Sequence, residues 1–116
     1  MEVFALVGPS GTGKSHWAVV IAHKLGTQAI IDDGLLISEN QIIAGSSAKR
    51  QATRIGAIKA ALFMDIKRAQ EMKEAICKLA PTSILILSTS NKMARRIADR
   101  LDLPQPRTIY NITDCV

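Results

Sequence analysis

Aromatic residues are scarce in this chain, with two Phe, one Trp and one Tyr making up 3% of it. A surface that stacks nucleobases needs such rings, so a nucleic-acid-binding module ranks last among the readings despite a formal charge of +5. Cysteine is nearly absent as well. Cys77 and Cys115 stand alone, without metal-ligand spacing, and read as small apolar residues of a reducing compartment rather than as a disulfide. Four prolines and no low-complexity tract argue against a disordered chain. Long apolar runs are missing too: the run at Ile84–Leu87 falls far short of the roughly 20 residues that cross a bilayer. The apolar run Val3–Val7 follows Glu2 rather than basic residues, so a signal peptide is not expected and the expected location is cytoplasmic.

What is present is an ordered composition, 47% apolar and 22% charged. At 116 residues it suits a single domain near the lower size limit for a sheet covered by helices on both faces. Glu2–Val7 reads as a strand, and a helical pattern runs through Trp17, Val20, Ile21 and Leu25 to Gly26, a C-cap residue. Ala29–Ile31 reads as a second strand ending in Asp32-Asp33. The apolar runs Gly34–Ile37 and Ile42–Gly45, around a polar turn, predict a β-hairpin. From Ile58 the apolar positions Leu62, Ile66, Ala69, Met72, Ile76 and Leu79 predict a long amphipathic helix with a break near Asp65. Ile84–Leu87 suits a strand buried on both faces, and Ser88–Asn91 offers caps for a helix carrying Met93 or Ala94, Ile97, Ala98 and Leu101 inward. Thr108–Ile112 is a last strand. The tally predicts about four mainly parallel core strands plus a hairpin, in an α/β domain over residues 1–116. So small a core also fits the N-terminal part of a longer protein.

The stretch Gly8-Pro9-Ser10-Gly11-Thr12-Gly13-Lys14-Ser15 satisfies G-x-x-x-x-G-K-[ST] at every fixed position. It begins right after a strand and opens a helix, where the mechanism requires it. A polyphosphate needs many donors at short range without crowding. Gly8, Gly11 and Gly13 allow the close approach that a Cβ would block, and the loop amides form an anion nest at a helix N-terminus. Lys14 is expected on the β- and γ-phosphates, and Ser15 on Mg²⁺. The segment resembles the P-loop NTPase superfamily, which implies a three-layer α/β/α fold and binding of ATP or GTP with magnesium.

A loop of this kind works with a nearby carboxylate that orients the metal or its water. Asp32 and Asp33 are the candidates: Asp32 for the metal, and either residue for catalysis together with Lys14. The bland alternative is a pair of turn-forming aspartates before Gly34. By contrast, Ile84–Leu87 ends in Ser88-Thr89-Ser90 with no acidic residue. Those hydroxyls could sense a γ-phosphate, but helix capping accounts for them better. The stretches GPSGTGKS, IIDDGLLI and IIAG, with Arg54-Ile55-Gly56, also resemble HPr kinase/phosphorylase, where such an acidic pair lies beside the nucleotide. Small-molecule kinases with an aspartate at the end of the second strand are an equal comparison.

Lys49, Arg50 and Arg54 lie in or just after the polar stretch beyond the hairpin, as a lid or arginine finger or, more simply, as a solvated loop. Lys92, Arg95, Arg96 and Arg100 share the last helix as a solvated face on which an anionic partner could dock. His16 and His23 have no catalytic constellation around them. The expected function is Mg-dependent binding of a nucleoside triphosphate, with phosphoryl transfer to water or an acceptor. The rival is a nucleotide-gated binding module with little turnover.

Overall fold

The computed structural model describes residues 1–9, 14–45 and 52–112, with residues 14 and 15 described by their backbone alone. The elements follow in the order β1 (Glu2–Val7), α1 (Lys14–Leu25), β2 (Ala29–Asp32), β3 (Leu35–Ser38), β4 (Gln41–Gly45), α2 (Arg54–Ala61), α3 (Ile66–Leu79), β5 (Ser83–Ser88), α4 (Asn91–Arg100) and β6 (Thr108–Asn111). The six strands form one mixed sheet in the order β4-β3-β2-β5-β1-β6. The pairs β1–β5, β1–β6 and β2–β5 are parallel, whereas β2–β3 and β3–β4 are antiparallel.

Side-chain alternation along the central strands sends apolar residues to both faces. Val3, Ala5 and Val7 of β1 and Ile84 and Ile86 of β5 join Ala69, Met72 and Ile76 of α3 and Ala94, Ile97 and Ala98 of α4 in one cluster. Phe4, Leu6, Leu85 and Leu87 meet Ala18, Ile21 and Ala22 of α1 in a second. The deepest positions of α1 include two alanines, which let the helix backbone sit close on the sheet, while Trp17 and Leu25 pack at its margin. Gly26, at φ 67°, closes α1: its amide donates to the His23 carbonyl, and that of Thr27 to the Ala22 carbonyl.

The helical pattern from Ile58 to Leu79 breaks near Asp65, as expected, into two helices. α2 already starts at Arg54, with Thr53 Oγ1 accepting from the Gly56 amide at 2.9 Å. Asp65 caps α3 by accepting from the amides of Lys67 and Arg68. Between them Phe63 takes φ 54°, costly for a bulky side chain. The Arg100 guanidinium holds the turn, donating to the Phe63 carbonyl at 2.9 and 3.1 Å and to the Met64 carbonyl at 3.1 Å. The break reorients the chain, so Ile66, an inward position in one continuous helix, is 80% exposed instead.

The strand after Asp32-Asp33 adds a hairpin that the sequence reading did not predict. Asp32 pairs with Leu35, and Asp33 and Gly34 between them have φ 54° and 85°. Positive φ at both central residues is the requirement of a two-residue type I′ turn, so β2 and β3 are themselves a hairpin. Glu39 and Asn40, at φ 53° and 62° between the paired Ser38 and Gln41, repeat the device. β2, β3 and β4 therefore form an antiparallel meander, and the predicted hairpin is its second half. Its outer strand is bulged: Leu36 faces Ala44 and Ile37 faces Ile42, which leaves Ile43 as the extra residue.

Candidate functional site at the carboxyl edge of the sheet

β1, β5 and β2 run parallel and end at the same edge. Val7 is level with Ser88 and Leu6 with Leu87, while Ile31 is level with Ile86, so Asp32 stands opposite Leu87 and Leu6. From β1 the chain leaves through α1 on one face, and from its neighbour β5 it leaves through α4 on the other. Adjacent strands whose connections depart to opposite faces leave a crevice beyond their carboxyl ends, the usual ligand site of open α/β sheets.

The glycine-rich segment starts in this crevice. The Gly8 amide donates to the Ser88 carbonyl at 3.2 Å, which ties the exit of β1 to the end of β5. Lys14 and Ser15 are the first two residues of α1. Ser10, Gly11, Thr12 and Gly13, together with the side chains of Lys14 and Ser15, lie outside the described residues, as do Lys49, Arg50 and Cys115.

The acidic pair is divided between the two faces. Ile31 belongs to the cluster under α3 and α4, whereas Ile30 packs against the α1 cluster. By alternation Asp32 points to the α1 side, where Lys14 and Ser15 begin. β5 stands between β2 and β1, so two interstrand spacings, about 10 Å, separate the end of β2 from that of β1. Asp33 instead lines a groove of about 500 Å³ on the opposite face, between α2 and the start of α4.

The hydroxyls after β5 are engaged locally. Ser88 is 4% exposed and its Oγ donates to the Ser90 carbonyl at 2.7 Å. Ser90 Oγ accepts from the Met93 amide at 3.1 Å and caps α4. Thr89 Oγ1 lies 3.4 Å from the Met93 sulfur. This is the capping role expected for the segment.

Among the basic residues, Arg54 is not in a loop but is the first residue of α2, and with Lys92 and Arg96 it borders the groove that Asp33 lines. Arg100 is taken up by the Phe63 and Met64 carbonyls. The convergence of Arg54, Lys92 and Arg96 escaped the sequence reading, because residues 54 and 92 are far apart in the chain. The Asp33-Gly34 turn did carry a signal: Asp-Gly between two apolar runs.

Among the described residues no group of three or more His, Cys, Asp and Glu could hold a metal. Magnesium bound mostly by phosphate and water needs only one or two protein oxygens, so Ser15 and Asp32 fit that donor set. No described helix is long and apolar enough to cross a membrane. A scan against protein-family models finds no match for the chain, and comparisons with curated proteins and with solved structures return none either.

Proposed function

We infer that this protein binds Mg-ATP or Mg-GTP through the segment Gly8–Ser15 and transfers the γ-phosphoryl group to water or to an acceptor. The observation that carries the reading is the full G-x-x-x-x-G-K-[ST] match sitting between a buried parallel strand and the helix that begins at Lys14. A three-layer α/β/α P-loop fold suits the two apolar clusters, one under α1 and one under α3 and α4. On this reading Ser10, Gly11, Thr12 and Gly13 offer backbone donors to the phosphates, while Pro9, which has no N–H, and Gly8, whose amide is held by the Ser88 carbonyl, set the entry of the loop. Lys14 neutralises the β- and γ-oxygens, and Ser15 with Asp32 holds Mg²⁺ or its water shell. When bound, the metal would neutralise charge as it develops on the bridging and terminal oxygens.

A nucleotide-gated binding module with little turnover is the second reading. It is favoured by the end of β5, where Ser88 and Ser90 are engaged locally and no carboxylate stands. Phosphate release from Mg-ATP tests the two. The enzyme reading expects release by the native chain well above that of Lys14→Ala, and at least tenfold less for Asp32→Asn. Native release equal to that of Lys14→Ala contradicts it, and binding without release selects the gated module.

A further inference from the structure

The groove bounded by Asp33, α2 and the start of α4 lies on the face of the sheet opposite α1. Its rim carries Arg54 from α2 and Lys92 and Arg96 from α4, against Asp33 as its one carboxylate. Lys92 and Arg96 are four apart on one helix, which sets their Cβ atoms about 6 Å from each other. Arg54 faces them from a different element, so the cations converge from two sides of a concavity rather than following one solvated helix face. Neither α2 nor α4 has an acidic residue in its first turn to offset them, and none of the three is in a salt bridge among the described residues. Three cations against one carboxylate leave the groove net positive, and a bound anion relieves the repulsion among them.

The floor has a different chemistry. Ala57, Ala61, Leu62 and Met93 line it, so the groove offers apolar surface below and a guanidinium-rich rim above. Apolar lining with a few convergent polar groups is the usual make-up of a small-molecule site, and about 500 Å³ is within the usual size range. Arginine at such a rim favours planar, bidentate recognition of an oxyanion. The groove also adjoins the proposed nucleotide site: Thr89, on its wall, follows directly on Ser88, whose carbonyl holds the Gly8 amide.

The geometry points to this groove as a binding site for a small ligand that carries an oxyanion, phosphate or carboxylate, on an apolar stem. Arg54, Lys92 and Arg96 hold the oxyanion, and Leu62 and Met93 receive the stem. The inference rests on the proposed nucleotide binding only in naming this ligand the acceptor; the groove's own affinity does not depend on it.

The test is a titration of the Lys14→Ala chain, in which the loop's lysine does not compete, followed by amide resonances in ¹H–¹⁵N spectra. Phenyl phosphate and benzoate are the probes for the two oxyanions, with benzyl alcohol as the neutral control. Saturable shifts are expected at residues 54, 57, 89–93 and 96 with at least one of the two anions. The binding should weaken at least tenfold in Arg96→Gln and again in Lys92→Gln, and the alcohol should give no such shifts. Both residues are exposed, so these variants are expected to fold. Shifts that do not saturate with either anion, that are unchanged by both substitutions, or that are matched by the alcohol overturn the proposal. Failure of the nucleotide reading shows separately, as absence of Mg-ATP binding to the native chain.

Discussion

The two halves of the sheet are built differently. In the parallel half, all six residues of β5 and five of the six in β1 are buried, because helices cover both faces. In the antiparallel half, β4 is mostly exposed, with Ile42 65% and Ile43 44% exposed, and packing comes mainly from α3 beneath. The parallel half is held by burial and sets the level of the strand ends that frame the crevice. The meander is held by backbone turns, with four residues at positive φ in its two tight connections, and it carries both aspartates. Bulk apolar packing thus supports one side of the proposed site, and turn chemistry the other.

That contrast can be broken by substitution. Leu85, at 0% exposure in the central strand, should cost about 2–5 kcal/mol as Leu85→Ala, read from urea unfolding, because a cavity opens where surrounding elements cannot collapse. A cost below about 1 kcal/mol would mean that the parallel half is not the rigid part. Gly45 is the corresponding weak point of the meander. It has φ 94°, and a Cβ there would collide with the Gly34 carbonyl oxygen and press on the Met72 methyl at 3.0 Å. Gly45→Ala should cost about 1–3 kcal/mol and shift amides around Gly34, which links the end of β4 to the turn holding Asp33. A neutral result would show that the meander tolerates slack. The smallest effect is expected at its rim: Ile42→Thr should change stability by no more than about 0.5 kcal/mol. A larger loss would show that the outer edge is packed after all.

Much of this organisation was readable before the fold was known, for reasons that follow the same division. Strands buried on both faces leave continuous apolar runs, so β1, β5 and the helices around them stood out in the residues, and Gly26 marked a helix end by its backbone freedom alone. The G-x-x-x-x-G-K-[ST] match is local chemistry and needs no tertiary context to be noticed. Tertiary effects were harder. A break near Asp65 was legible, but the left-handed Phe63 that turns the chain there is held by the Arg100 guanidinium, 37 residues away, and nothing near Phe63 announces it. Glu39 at positive φ is likewise held by strand pairing rather than by propensity, whereas Asn40 beside it is a residue that tolerates the left-handed region. The division of Asp32 from Asp33 follows from a turn signal that competed with a functional reading of the same two residues.

The central claim is nucleotide binding by the segment Gly8–Ser15, and calorimetric titration with Mg-ATP of the native chain and of Lys14→Ala tests it most directly. Far-ultraviolet circular dichroism serves as the check that both are folded. Saturable binding with one nucleotide per chain, weakened at least about 100-fold in Lys14→Ala with an unchanged spectrum, is the predicted result. Equal affinity in the two chains, or no binding of either ATP or GTP by the folded native protein, would contradict it.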